Sequence, residues 1–310
     1  MKPFRKNVAI AIDGGGIRGL IVARALSILE DHFGQPVHSI IRLAAGTSTG
    51  SIIAAGIAAC LTAKQMSQLY FDLGESIFRK SWRSALWPLT RYRYPLAPLE
   101  GALQDQLGGV RMGDLWTSKP PTDVVITTFD LVENRTRFIK PWKEEYYNWP
   151  LVKSVICSCV VPTFFPVYEG RYVDGGVGAY ANPCYLAAYE LLFCLGWRLS
   201  ETTLISLGTG RSPRSFQTDQ ADSLWAWQWI EPLLGAFLQS ADDQQVHLVN
   251  TFFQELDFRR FQVNLDQNIG MDDVSNLDRL VEYGDELGQL ILNDKTDPIQ
   301  EIYPKSAPPA

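Results

Sequence analysis

The sequence of 310 residues carries a formal net charge of −6 and is 46% hydrophobic and 20% charged. These values are typical of a folded globular protein, and the length suits a single α/β domain with one core. The negative charge opposes the binding of a polyanion over the whole surface, so we expect no nucleic-acid partner.

The five cysteines are odd in number and have no paired CxxC spacing. This pattern argues against a disulfide framework or a zinc site and favours a reducing compartment. Val8–Ile12 is too short for the apolar core of a signal peptide, and no apolar stretch reaches the length of a transmembrane helix. We therefore expect a cytoplasmic protein, with peripheral contact at a membrane as the remaining option.

Two strand–loop–helix units are predicted at the start of the chain. Each begins with a buried strand, continues through a glycine-rich turn and ends in a helix. The units comprise Val8–Ile12, Gly14–Gly19 and Leu20–Phe33, then Ile40–Ala45, Gly46–Gly50 and Ser51–Leu61. Their repetition predicts a three-layer α/β/α fold, in which helices cover both faces of a mostly parallel central sheet.

Later segments extend this α/β pattern. They comprise the β-branched strands Thr122–Thr128 and Thr203–Leu207 and the helical segments Pro183–Leu195 and Asp243–Leu256. We expect one catalytic domain over residues 1–296. The Pro-rich C-terminal tail, residues 297–310, is predicted to fray.

Gly46-Thr47-Ser48-Thr49-Gly50 is a GxSxG sequence between a predicted strand and a predicted helix. This is the arrangement of a nucleophile elbow, in which a sharp turn presents the serine and the helix N-terminus favours developing negative charge. Taken alone, the motif also fits a serine that caps a helix after a glycine turn. Ser48 is therefore a candidate nucleophile, and Gly46 and Gly50 allow neighbouring chain to approach it.

The glycine-rich segment Asp13-Gly14-Gly15-Gly16-Ile17-Arg18-Gly19 has two interpretations. Gly14, Gly16 and Gly19 fit a dinucleotide-binding GxGxxG, but the second strand ends without the acid that binds the ribose. The alternative is an oxyanion hole, in which glycine N–H groups point toward a tetrahedral intermediate and Arg18 adds positive charge. Gly15 and Gly16 are then the leading donors.

None of the three histidines suits the base of a Ser-His-Asp triad. His32 lies on the first predicted helix, His38 precedes the nucleophile strand, and His247 lies in a helix interior. Asp174 ends a short β segment, and Gly175 and Gly176 beside it permit close approach to another loop. Read alone, the same Asp-Gly sequence favours an aspartate in a hairpin turn over a catalytic base.

Three motifs in this order resemble those of the patatin-like phospholipases: DGGGIRG at 13–19, GTSTG at 46–50 and DGG at 174–176. The resemblance extends over nearly the whole chain. It includes Pro162-Thr163-Phe164-Phe165-Pro166, Asn182-Pro183, Ser206–Gly210 and Met271-Asp272-Asp273. The chain departs from the family pattern in the spacer Gly178-Ala179-Tyr180-Ala181 between DGG and Asn-Pro. The resemblance therefore does not predict the local shape of the pocket.

The resemblance implies a patatin-like fold and a lipid acyl hydrolase of the phospholipase A type that acts in lipid catabolism. The implied catalytic dyad is Ser48 as nucleophile and Asp174 as proton acceptor. Its other implied site residues are the oxyanion-hole group Gly14, Gly15, Gly16 and Arg18 and the motif glycines Gly19, Gly46, Gly50, Gly175 and Gly176. The implied chemistry is two acyl-transfer steps on a phospholipid, galactolipid or related ester, with no metal and no cofactor.

Two aromatic segments are candidates for lipid contact. Between Ser76 and Leu99, basic and aromatic residues alternate without acidic ones, which suits a lipid head-group region or a solvated loop anchored on the core. These residues are Arg79, Lys80, Arg83, Arg91 and Arg93, with Phe78, Trp82, Trp87, Tyr92 and Tyr94. The second segment is expected to be buried against the sheet, and the alternative is a helix that covers the active site or enters a membrane interface. It contains Trp225, Trp227, Trp229, Leu233, Leu234, Phe237 and Leu238.

Two rival classes remain open from the residues themselves. A non-catalytic lipid-binding module would need no intact Ser–Asp pair, although both residues are present. A nucleotide-binding oxidoreductase would explain the glycine-rich segment, but it lacks the ribose-binding acid.

Overall fold

The computed structural model describes residues 1–79, 81–87, 89–117, 122–213 and 221–298. Its strands are β1 Asn7–Ile12, β2 Leu43–Gly46, β3 Asp123–Asp130, β4 Arg135–Ile139, β5 Tyr172–Asp174, β6 Thr202–Leu207 and β7 Asp257–Phe261. They form one sheet in the order β4-β3-β2-β1-β6-β7, with β5 paired to β3. Strands β3, β2, β1, β6 and β7 are parallel, whereas β4 and β5 run antiparallel to β3.

Helices cover both faces of this sheet. They are α1 Gly19–Phe33, α2 Thr49–Ala58, α3 Ala63–Ile77, α4 Trp82–Ala85, α5 Ala97–Leu107, α6 Met112–Thr117, α7 Glu144–Tyr147, α8 Leu151–Cys159, α9 Cys184–Tyr189, α10 Ile230–Phe252 and α11 Leu277–Leu292. Within the described residues, no helix is both long enough and apolar enough to span a bilayer.

Successive side chains of β1 enter different cores, because side chains alternate between the two faces of a strand. Ile10 and Ile12 pack in the larger core with α1, α2, α3, α5, α8 and α11. Ala9 and Ala11 pack in the smaller core with residues of α9 and α10. The predicted three-layer α/β/α arrangement with a mostly parallel sheet is therefore confirmed.

The parallel register determines where the functional loops emerge. Ile12 at the end of β1 is paired with Gly46 at the end of β2 and with Leu207 at the end of β6. The segments that follow these three strands therefore begin side by side at the carboxyl edge of the sheet, where open α/β sheets bind ligands.

Several boundaries differ from the sequence prediction. Strand β2 begins at Leu43, after a 3-10 turn at Val37–Ser39, and α2 begins directly at Thr49. The segment predicted as one helix from Pro183 ends in a π-helical turn at Glu190–Cys194. Strands β4 and β7 were not predicted, because arginines interrupt the apolar alternation in both.

The prediction that the second aromatic segment is buried against the sheet is wrong for two of its residues. Trp225 is 73% exposed and Leu233 is 46% exposed. The side chains of Trp227, Leu234, Phe237 and Leu238 lie outside the described residues.

The C-terminal tail is attached at its first residue. The Asp297 N–H donates to the Arg260 carbonyl oxygen at 2.8 Å, and its carboxylate pairs with Arg211 at 2.7 Å. The prediction that the tail frays from residue 297 onward is therefore wrong for Asp297. Residues 299–310 lie outside the described part of the chain.

Candidate active site

Ser48 lies at the turn between β2 and α2 and is 6% exposed. Its backbone has φ 54° and ψ −128°, a region that non-glycine residues adopt only under constraint. Its N–H donates to Ser158 Oγ at 2.8 Å, and its carbonyl oxygen accepts from the Ser51 N–H at 2.8 Å. A Cβ at Gly50 would lie 2.2 Å from the Ile12 carbonyl oxygen, so glycine is required there. This geometry is that of a nucleophile elbow.

Asp174 ends β5 opposite Thr128 and is 5% exposed. Its Oδ1 accepts the Gly176 N–H at 2.8 Å. Among the described residues, its buried Oδ2 has no partner with full hydrogen-bond geometry, although the Ser48 hydroxyl is close enough to lower the pKa of this carboxyl. Burial outweighs the Ser48 and Gly176 contacts and raises the pKa of Asp174 to about 6.

The C-terminal end of α8 connects the backbones of these two residues. Ser158 accepts the Ser48 N–H, while the Val160 carbonyl oxygen accepts the Asp174 N–H at 3.1 Å. Sequence reasoning missed Ser158, since a small buried residue in a helix carries no motif. The end of α8 therefore holds the backbones of both Ser48 and Asp174.

The glycine-rich segment lies against Ser48, but its N–H groups differ in availability. The Gly14 N–H donates to the Ala181 carbonyl oxygen at 2.8 Å, which argues against its predicted role as an oxyanion donor. Gly15 and Gly16 donate to no acceptor within the described chain. Gly16 has φ +60°, and a Cβ there would lie 2.2 Å from the Met271 carbonyl oxygen. Two adjacent donors are thus available beside the serine.

Arg18 has a different position from the one expected of an oxyanion-hole residue. Its Nη1 donates to Ser212 Oγ at 3.1 Å, and its Nε lies 3.4 Å from the Gly15 carbonyl oxygen. Burial lowers the pKa of Arg18 to about 10. The Arg18 guanidinium therefore contacts the glycine-rich segment and Ser212. It is absent from the described lining of the two chambers around Ser48.

Ser48 lies where two chambers meet. The larger, which we call the apolar cavity, has an empty volume of about 490 Å³ and includes Ile52, Leu73, Phe78 and Leu99 in its lining. The smaller, which we call the polar cleft, has about 340 Å³. Its lining includes Gly14, Gly15, Ser48, Asp174, Gly176 and Met271.

The spacer at residues 178–181, after DGG, is hydrogen-bonded to the GTSTG segment and to the glycine-rich segment. The Tyr180 carbonyl oxygen accepts from Thr47 Oγ1 at 2.5 Å, and the Ala181 carbonyl oxygen accepts from Gly14. Tyr180 also packs edge-on against Phe138, with ring centroids 5.0 Å apart. Of this spacer, Ala181 lines the polar cleft, and the Tyr180 and Ala181 carbonyl oxygens bond the two glycine-containing segments beside it.

The histidines lie elsewhere. His32 is in the last turn of α1, His38 is in the turn before β2, and His247 is in α10 beside Thr251. Among the described lining residues of both chambers there is no histidine.

Few residues are suited to hold a metal or nucleotide. In the described part of the chain, no group of three or more His, Cys, Asp and Glu residues could hold a metal ion. Strand β2 ends at Gly46 without the acid that a ribose contact needs.

A buried ion cluster lies behind the glycine-rich segment. Arg260 of β7 contacts Asp13 through both terminal nitrogens, at 2.9 and 2.5 Å, and reaches both oxygens of Asp242 at 3.0 Å. Burial raises the pKa of Asp13 to about 7, and Arg260 opposes this rise. Sequence reasoning did not identify Arg260 or Asp242 as members of the site.

Comparisons with known proteins agree with this geometry. Residues 10–188 match the family model described as patatin-like phospholipase. An intracellular phospholipase A2 of Caenorhabditis elegans is 29% identical over 87% of this chain, which spans only 26% of that protein's length. Patatin-17 of Solanum cardiophyllum is 28% identical, with 90% of this chain and 82% of patatin-17 covered. The crystal structure of VipD from Legionella pneumophila matches with a TM-score of 0.51 at 12% identity, covers 94% of this chain and 67% of VipD, and shows likeness of fold alone.

Gly16→Ala tests the position of the glycine-rich segment. The added Cβ would meet the Met271 carbonyl oxygen at 2.2 Å and displace the loop. We expect kcat/KM for a p-nitrophenyl ester to fall about 100-fold, the effect of roughly 1 Å of misplacement.

Gly34→Ala is the matched control. Gly34 has φ +65°, and none of the described atoms lies within 4 Å of a Cβ at this position. It should lower stability by about 1 kcal/mol through the left-handed backbone alone and leave kcat/KM unchanged. Equal losses of activity in both variants would contradict a specific role for Gly16.

Proposed function

Because the chain belongs to the patatin-like phospholipase family, we propose that it is a lipid acyl hydrolase of the phospholipase A type with Ser48 as nucleophile and Asp174 as general base. The observation that carries this proposal is the buried Asp174 carboxylate beside a serine on a strained elbow. A carboxylate with one unsatisfied oxygen in a desolvated site is a stronger base than a solvated one.

The reaction has two acyl-transfer steps. Ser48 Oγ attacks the ester carbonyl carbon and passes its proton to Asp174, and the Gly15 and Gly16 N–H groups donate to the oxyanion. The tetrahedral intermediate collapses, the carbonyl re-forms, and the leaving alcohol takes the proton from Asp174. Water then attacks the acyl-enzyme, gives a proton to Asp174, and releases the fatty acid as Ser48 regains its proton.

The apolar cavity is suited to the acyl chain of the substrate. It opens beside Ser48, and its walls come mainly from α2, α3 and the segment around Phe164 and Phe165, with Leu99 contributed by α5. A saturated chain gains about 0.8 kcal/mol per methylene transferred from water, so such a cavity favours fatty-acyl esters over short ones.

The segment between α3 and α5 is suited to contact with a bilayer. It is anchored by Tyr94, which is buried and donates to Asp272 Oδ2 at 2.8 Å. Three of its apolar side chains are exposed: Trp82 at 62%, Leu86 at 51% and Leu89 at 88%. Exposed apolar residues that border a ligand cavity are typical of interaction sites.

The charge of this segment favours an anionic lipid surface. Arg79 and Arg91 are exposed, and Arg83 lies 4.6 Å above the Trp82 ring, so that cation and aromatic ring face outward together. The adjoining residues Phe78 and Leu99 line the apolar cavity. We infer that this segment rests on the membrane and leads an acyl chain toward Ser48. Lys80 lies outside the described residues.

The dyad is tested by labelling with a fluorophosphonate probe, followed by peptide mapping, and by kinetics of Ser48→Ala and Asp174→Asn. We expect the label on Ser48 and losses of at least about 1000-fold in kcat for both variants. Since Asp174 must be ionised to accept a proton and its pKa is raised to about 6, kcat/KM should fall as pH decreases through about 6 and level off above it.

Near-wild-type hydrolysis by Ser48→Ala would contradict the proposed Ser48–Asp174 dyad. Vesicle binding without any hydrolysis or labelling by the wild-type protein would instead favour a non-catalytic lipid-binding module.

The acyl-chain assignment is tested by Leu99→Ala. Leu99 and Leu103 both lie buried in α5, but only Leu99 lines the apolar cavity in the described structure. Leu99→Ala should shift the preferred ester toward longer acyl chains, measured over a series of chain lengths.

Leu103→Ala serves as its control. Both truncations should cost about 2 to 5 kcal/mol of stability, so assays are run well below the melting temperature of either variant. The same chain-length profile in both variants would show that the acyl chain binds elsewhere.

Membrane contact is tested by vesicle co-sedimentation in the Ser48→Ala background, which prevents hydrolysis. Arg79→Gln/Arg83→Gln should reduce binding to phosphatidylserine vesicles about 30-fold, at about 1 kcal/mol per basic residue, and leave binding to phosphatidylcholine vesicles nearly unchanged. Leu86→Ser/Leu89→Ser should weaken binding to both.

Phe193→Ser provides the control, because Phe193 is 63% exposed but belongs to the π-helical turn. If this variant loses as much binding as the leucine pair, the segment between α3 and α5 is not the contact surface.

A further inference from the structure

We propose that Arg260 is a positioning residue for the oxyanion hole: by holding the Asp13 carboxylate, it fixes the direction of the Gly15 and Gly16 N–H groups. This inference rests on the proposed function, because it assigns a role within the same acyl-transfer site. Arg260 and Asp242 lie outside residues 10–188, the part of the chain that matches the family model.

The contact between Arg260 and Asp13 is suited to fix an orientation. The Arg260 side chain is 1% exposed, and its two terminal nitrogens each reach a different oxygen of Asp13. This bidentate geometry restricts rotation of the carboxylate, in contrast to a single-point contact with lysine. Ser206 Oγ, 2.9 Å from Nη1, holds the guanidinium from β6.

Asp13 is the last residue before the glycines, so its orientation sets the path of the loop. Its own N–H donates to the Leu207 carbonyl oxygen at 3.1 Å. The Gly14 N–H is bonded to Ala181, and the Gly14 carbonyl oxygen accepts from Thr209 Oγ1 at 2.7 Å. Hydrogen bonds therefore fix the backbone at Asp13 and Gly14, and the free N–H groups of Gly15 and Gly16 follow directly in the chain.

The same guanidinium also reaches the segment that follows Asp174. Its second partner, Asp242, accepts from Asn182 Nδ2 at 2.6 Å. Asn182 in turn follows Ala181, which accepts the Gly14 N–H. Arg260 thus joins the glycine-rich segment and the chain that follows Asp174 in one hydrogen-bonded network.

Stability alone does not account for this cluster. Two carboxylates share one guanidinium in the interior, and apolar residues of similar volume often replace buried ion pairs without loss of stability. A second buried pair on the same strand joins Arg259 to Asp257, and this arginine also donates to the Lys2 and Pro3 carbonyl oxygens in the segment before β1. It offers a comparison in which an ion pair supports the fold without contacting the site.

The experiment compares Asp13→Asn with Asp257→Asn in the full chain. Asp13→Asn leaves Arg260 paired with Asp242, so the interior keeps a balanced ion pair. We expect Asp13→Asn to lower kcat about 100-fold with little change in KM, as for a donor displaced by roughly 1 Å. Asp257→Asn should lower the melting temperature and leave kcat unchanged.

Two ligands separate positioning from general damage. A trifluoromethyl ketone analogue forms a tetrahedral oxyanion with Ser48, whereas an ether-linked lipid occupies the site without one. Asp13→Asn should weaken the ketone in proportion to the loss of kcat and leave the affinity for the ether lipid unchanged. Equal weakening of both ligands, or a kcat within about threefold of wild type, would overturn the proposal.

Arg260→Lys provides the second variant. It retains the positive charge but loses the bidentate contact, and the same selective loss of ketone affinity is expected. If neither Asp13→Asn nor Arg260→Lys folds, the cluster is a scaffold and the proposal is wrong. If the wild-type Ser48 is not labelled by the fluorophosphonate, the proposed function itself has failed, which is a different outcome.

Discussion

The left-handed backbone of Ser48, with φ 54°, is the constraint on which the site depends. A serine in this conformation is held only where its neighbours leave no alternative. Here Gly50 lies against the carbonyl end of β1, and Ser158 accepts the Ser48 N–H that the elbow directs away from helix α2. The strain is therefore balanced by the sheet on one side and by α8 on the other, which presents the hydroxyl in a fixed direction.

From this constraint the remaining geometry follows through strand direction. Parallel β1 and β2 end side by side, so the glycine-rich segment and the elbow emerge together. Strand β5 runs antiparallel to β3 and ends with Asp174 opposite Thr128. The proposed nucleophile, the proposed base and the free N–H groups thus come from three separate segments, each with a backbone held by hydrogen bonds. Such preorganisation places donors and base before the substrate arrives, as electrostatic catalysis requires.

The local parts of this site could be predicted from sequence, and the long-range parts could not. GTSTG carries its turn chemistry within a few residues and singles out Ser48, whereas Asp174 is assigned through the family resemblance; both residues lie beside the same cleft. By contrast, Asp13 and Arg260 are 247 positions apart, and Ser48 and Ser158 are 110 apart. One sequence contains no signal for such pairs. Gly14 and Arg18 were overassigned for the same reason, because the motif does not reveal which N–H or guanidinium is already bonded.

In the proposed mechanism, a buried carboxylate takes the place of a histidine base. A solvated aspartate, with a pKa of about 3.9, would accept a proton from serine poorly at neutral pH. In this protein Asp174 is 5% exposed at the polar cleft, and desolvation by burial raises its pKa to about 6. A bound acyl chain would exclude still more water, so substrate binding and the strength of the base are coupled. In the proposed mechanism, an acyl chain in the apolar cavity and a buried carboxylate in the polar cleft therefore meet at Ser48, which lines both chambers.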